Sequence, residues 1–148
     1  MQSASSLNLI DTHAHCYLDS MKSSKDSWME NIRKNHVEKV LLPNIDIASI
    51  DPMHELCDEY PNIFLPMMGL HPCDVKADYL DVLSIIQEKL YTNKDKYCGV
   101  GEIGLDYHWD TTFVSEQKKA LQMQFEWAID LDKAVSIHSR KSNQDLIP

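Results

Sequence analysis

The feature that most constrains the fold is a regular alternation of short apolar runs with amphipathic helical patterns along the whole chain. "LNLIDTHAH" (7–15), "VEKVLLPNI" (37–45), "NIFLPMMGLHP" (62–72), "YCGVGEIGLD" (97–106) and "AVSIHSR" (134–140) read as five strands. Between them, "KDSWMENIRKNH", "DPMHELCDEY", "ADYLDVLSIIQEKL" and "SEQKKALQMQFEWAIDLDK" read as helices. Asp51 is the expected cap of the second helix, with Pro52 at its first position. Val82, Leu83, Ile86 and Leu90 form the apolar stripe of the third, and Leu121, Phe125, Ala128 and Ile129 that of the fourth. Strand, helix and strand in this order imply right-handed crossovers and a parallel sheet covered on both faces. The candidates are therefore a doubly wound sheet and a β/α barrel.

What stands at the strand ends separates the two. A doubly wound sheet announces itself with a glycine-rich phosphate loop after its first strand, whereas a barrel gathers chemistry at the C-terminal ends of several strands. Here the first strand ends in Asp11, His13 and His15, the third in His71, the fourth in Glu102 and Asp106, and the fifth in His138 and Arg140. Residues two apart on a strand share a face, so Asp11, His13 and His15 are expected on one side, as are His138 and Arg140. Imidazoles and a carboxylate converging on one rim make the ligand set of a hydrolytic zinc, manganese or magnesium site. The barrel is favoured.

Composition supplies exclusions. With 148 residues, 43% of them hydrophobic and 25% charged, the chain is expected to form a single domain spanning 1–148. The longest apolar stretch, "IFLPMMGL", is interrupted by Pro66 and too short to cross a bilayer, and "MQSASSLN" is no secretory signal, so a cytoplasmic location is expected. Cys16, Cys57, Cys73 and Cys98 form no C-x-x-C pair and read as reduced, mostly buried thiols. A net charge of −9 argues against a broad basic face for nucleic acid, so a phosphate substrate would need local cations.

In this order and at these separations, "DTHAH", "GLHP", "GEIGLDY" and "SIHSR" resemble the motifs of the TatD family of metal-dependent deoxyribonucleases, within the amidohydrolase-like metallohydrolases. The resemblance runs from residue 11 to residue 140. It implies a β/α barrel with two divalent metal ions (Mg, Mn or Zn) that hydrolyses DNA phosphodiesters. By motif position, His13 and His15 would hold one metal, Glu102 would bridge two and count as catalytic, and His138 would hold the second. His71 and Arg140 would contact substrate phosphate, although a histidine before Pro72 also suits a turn cap. Asp11 reads as a residue that orients a ligand, and His36 and His54 as structural histidines.

The chain departs from the family in extent. A β/α barrel takes about 250 residues for eight strands, and the fifth strand here is followed only by "KSNQDLIP". The resemblance places a further histidine and an aspartate in the absent part. The expectation is thus the first five strands of a barrel, as part of a longer or nicked protein, as one of two associating halves (with the missing half or a second copy), or as a truncation without activity. Two alternatives to a nuclease follow: a catalytically incomplete metal-binding subunit, and a related enzyme acting on cyclic amides or lactones. The last often bridges its metals with a lysine on the fourth strand, where this chain has Glu102. Whether DNA, RNA or a small phosphoester is the substrate stays open at this stage.

Overall fold

The computed structural model describes residues 8–146. It contains five parallel strands in the order β1-β2-β3-β4-β5: β1 Leu9–Asp11, β2 Val37–Pro43, β3 Phe64–Met68, β4 Gly99–Asp106 and β5 Ala134–Arg140. Helices α1 (Asp19–Lys22), α2 (Lys25–Lys34), α3 (Ile50–Glu59), α4 (Tyr79–Thr92), α5 (Val114–Asp130) and α6 (Asn143–Leu146) complete the chain. Consecutive strands are neighbours, each reached through helical crossover segments, which makes half of a β/α barrel.

Burial follows from that topology. Every residue of β4, the strand carrying "GVGEIGLD", is buried, as expected of a parallel strand covered on both faces. Two of its glycines are required by the approach of β5. A Cβ on Gly101 would come within 2.7 Å of the Ser136 Cβ, and Gly104, at φ +150°, lies against the backbone of His138. The core is built from Leu42, Met68, Leu70, Val100, Ile103 and Leu105 of the sheet region against Met53, Leu83, Ile86, Leu90 and Leu121 of the helices. β1 and β5 are the two edges, where Leu9, Ile10 and Ile137 remain exposed.

Three expectations change at the level of elements. The first strand ends at Asp11 and not at His15, because the Asp11 carboxylate accepts the His13 N–H at 3.1 Å and draws the backbone out of the ladder. Leu7, the expected first residue of that strand, lies outside the described residues. Helix α3 begins at Ile50 with Ser49 before it, so Asp51 is not the cap. The loop ahead of it is tied by Ser49, whose hydroxyl accepts the Asp46 N–H while its own N–H donates to the Asp46 carboxylate. Pro52 still falls in the first turn, where a missing N–H costs nothing. On α5, Ile129 is 79% exposed, and the buried stripe is Gln117, Ala120, Leu121, Gln124 and Ala128.

Candidate metal centre

At the C-terminal ends of the strands the side chains converge around Glu102. The turn at Asp11 leaves the following residues alongside β2, where the Ala14 N–H bonds the Leu41 carbonyl at 3.1 Å. His13 and His15 therefore meet through a turn, and not by the alternation of a continued strand. The Nε2 atoms of the two rings lie 3.1 Å apart, and Glu102 Oε2 is 3.0 Å from the first and 3.2 Å from the second. Three ligand atoms at this spacing fit around one cation bound at about 2.1 Å from each.

A second group uses the other oxygen of the same carboxylate. His138 Nδ1 lies 3.1 Å from Glu102 Oε1, and His71 Nε2 lies 3.1 Å from His138 Nδ1 and 3.6 Å from Glu102 Oε1. Glu102 thus faces two clusters, one oxygen to each, with His13 and His15 on one side and His71 and His138 on the other. This is the disposition of a bridging carboxylate.

Hydrogen bonds behind the rings decide which nitrogens offer lone pairs. Tyr17 donates its O–H to the Pro43 carbonyl, so its oxygen accepts from His15 Nδ1 at 2.9 Å and leaves Nε2 of a neutral ring as a lone pair. His13 Nδ1 lies 3.0 Å from the Ser136 hydroxyl. Asp106 Oδ2 accepts from His138 Nε2 at 2.8 Å, which turns the Nδ1 lone pair toward Glu102. His71 differs. Its Nδ1 accepts the Cys73 N–H at 3.1 Å, capping the Pro72–Asp74 turn, so the ring proton sits on Nε2. His71 is thereby a hydrogen-bond donor into the site, whereas His15 and His138 offer lone pairs. Lone pairs packed this closely about a carboxylate need a cation among them, and the donor set fits a divalent metal.

The electrostatics agree. Burial by itself would raise the Glu102 pKa, but the hydrogen bond with His15 and the imidazoles of His71, His13 and His15 outweigh it and hold the carboxyl at about 2. Asp106 is held at about 2 in the same way: burial opposes, and the His108 N–H, the His138 ring and the Trp109 N–H prevail. Burial pushes His71 down to about 4, which keeps its ring neutral near pH 7.

Several supporting residues carried no motif. Asn44, fully buried, bonds Gly101 and Glu102 through its own N–H and C=O, both at 2.9 Å, and its side-chain amide donates to the Gly69 carbonyl. Gln124 clasps the N–H and C=O of Leu70, next to His71, and Gln117 clasps those of Asp106. Arg140 stands apart from the cluster. Its guanidinium lies over the Trp109 ring, 5.0 Å from the centroid.

Residues 10–148 match the family model described as TatD related DNase. The chain belongs to the TatD-related DNase family. Among curated relatives of this family, it is 29% identical over 139 residues to the uncharacterized metal-dependent hydrolase YabD of Bacillus subtilis, covering 94% of this chain and 53% of that protein. It is 25% identical over 154 residues to the deoxyribonuclease TATDN3 of Homo sapiens, covering 97% and 56%. The TatD homologue YjjV of Escherichia coli, a solved structure, superposes with a TM-score of 0.82 at 26% identity, covering 93% of this chain and 53% of that one. The chain spans about half the length of the TatD-related proteins it matches. No helix among the described residues is long and apolar enough to cross a membrane.

Proposed function

We propose that this chain carries the metal centre of a hydrolase that cleaves DNA phosphodiesters, with His13, His15 and Glu102 holding one divalent cation and Glu102 and His138 a second. The observation that carries the reading is the Glu102 carboxylate, with one oxygen aimed at each histidine cluster. Such cations, whether Mg, Mn or Zn, would offset the charge of the phosphate and acidify a water. The protein's own work is positional. Glu102 sets the spacing, Tyr17 and Asp106 fix the tautomers of His15 and His138, and His71 presents its Nε2 proton to a phosphate oxygen. Arg140 adds a charge-assisted hydrogen bond to the same strand.

The reading is tested by titrating the metal-free chain with manganese or zinc and by following cleavage of a single-stranded oligonucleotide. Wild type binds metal and cuts; Glu102→Gln loses both, and His138→Ala loses one equivalent of metal with at least about a hundredfold loss of rate, the scale of a removed metal-site interaction. Undiminished cleavage in excess chelator overturns the proposal. A second reading is favoured by the exposed Leu9, Ile10 and Ile137 on the sheet edges and by coverage of only 53% of a matched relative. In it, these residues bind metal but hydrolysis needs the rest of a barrel, from a longer chain or an associated half. Metal binding without cleavage, with cleavage appearing when residues equivalent to the second half are supplied, selects that reading.

A further inference from the structure

We infer that Trp109, backed by Arg140, is a stacking platform for an unpaired nucleobase next to the scissile phosphate, which makes single-stranded DNA the form of substrate the site accepts. The inference rests on the phosphodiesterase reading above. Trp109 is 70% exposed, while Trp127 is buried and Trp28 packs edge-on against Phe64. An indole left in water on a chain with a full core calls for an occupant. This one is also held in place. The Arg140 guanidinium lies over the ring at 5.0 Å and the His108 ring meets it at 4.6 Å and 66°. The His108 and Trp109 N–H groups both donate to Asp106 Oδ1, at 2.8 and 3.3 Å.

That carboxylate links the platform to the metal centre. Its other oxygen accepts from His138 Nε2 at 2.8 Å, and His138 Nδ1 stands 3.1 Å from Glu102. One aspartate therefore sets both the histidine of the site and the loop that presents the tryptophan. Asp106 and Arg140 are also paired residues of β4 and β5, so ring and guanidinium leave the sheet side by side.

Charge points to the same ligand. Among the described residues no carboxylate lies within salt-bridge distance of the Arg140 guanidinium, which leaves its donors for a phosphate. The chain as a whole carries −9, so it has little of the diffuse attraction by which basic proteins hold a nucleic-acid backbone. Stacking on an aromatic face supplies affinity that does not depend on net charge and tolerates any base. A base inside a duplex already has its faces covered. A base in a single strand or a frayed end does not.

The test reads binding separately from cleavage. In the presence of chelator, octathymidylate should quench the tryptophan emission of the wild-type chain, whereas an abasic strand of the same length and a blunt duplex should not. Trp109→Leu should lose the quench and bind octathymidylate about tenfold more weakly, the range of one lost base stack, down to the affinity of the abasic strand, while Trp109→Tyr keeps most of the affinity. Circular dichroism of Trp109→Leu should match wild type, since the ring is a surface group. Equal affinity for the abasic strand and octathymidylate, unchanged binding by Trp109→Leu, or no quench at millimolar strand overturns the inference. Glu102→Gln should retain the quench. A chain that distinguishes bases in this way yet cleaves no phosphodiester with any divalent metal would keep the platform and lose the hydrolase reading.

Discussion

Tyr17 does for His15 what Asp106 does for His138: each binds the far nitrogen of the ring and so decides which nitrogen faces the centre. Burial pushes the Tyr17 phenol up, so it stays an O–H donor to Pro43 and an acceptor toward the imidazole throughout the working pH range. Tyr17→Phe should lower metal affinity about 10- to 100-fold, as loss of a hydrogen bond behind a ligand commonly does. Titration with manganese checks it, and unchanged affinity would show that His15 needs no such anchor. At Gly104, φ +150° and the adjoining His138 backbone leave no room for a side chain. Gly104→Ala should cost at least about 2 kcal/mol in urea unfolding, from backbone strain and displacement of β5. Of these residues, His13, His15, Glu102 and His138 were legible because their types at strand ends have few other uses. Tyr17 and Ser136 were not, since a tyrosine or a serine shows its role only when its partner is known.

At the scale of elements, α5 acts as a brace for the site. Gln117 and Gln124 are two turns apart on one face, and each clasps a backbone N–H and C=O of a segment that carries a site residue. Gln124→Ala would leave the buried Leu70 N–H and C=O without partners and should destabilise by roughly 2–4 kcal/mol, from about 1–3 kcal/mol for each orphaned group. Gln122→Ala, on the exposed face, should change stability by under about 0.5 kcal/mol. Equal denaturant midpoints for the two variants would refute the brace. The helix itself was evident from its periodicity. Its phase was misjudged, because two glutamines belong to the buried stripe and Ile129 does not. A hydrophobic count scores glutamine as outward, whereas a side-chain amide that satisfies two backbone groups is stable inside.

For the whole molecule, the histidine clusters and the open sheet are linked. Glu102, His13 and His15 tie β4 to the segment after β1, while His71 and His138 tie the segment after β3 to β5. A cation bound only by the folded arrangement stabilises it by mass action, about 2.7 kcal/mol at a hundred times its dissociation constant. Thermal unfolding should therefore shift upward by roughly 5–10 °C on adding manganese or zinc, for a chain of this size. His13→Ala should show a smaller shift, and an unfolding temperature indifferent to metal would count against the centre.

The order of strands and helices, the parallel sheet and the identity of the residues around Glu102 were determined by the sequence alone, because period and residue type are local properties that survive without knowledge of the fold. Tertiary structure decided the rest. It ended the first strand at Asp11, assigned the proton of His71 to the nitrogen that faces the site, turned Gln117 and Gln124 inward, and set Trp109 beside Arg140. Each of these depends on a partner distant in the chain or on a side chain competing with the backbone for a hydrogen bond. Which of two possible partners a polar group takes is settled only when packing brings one of them within reach.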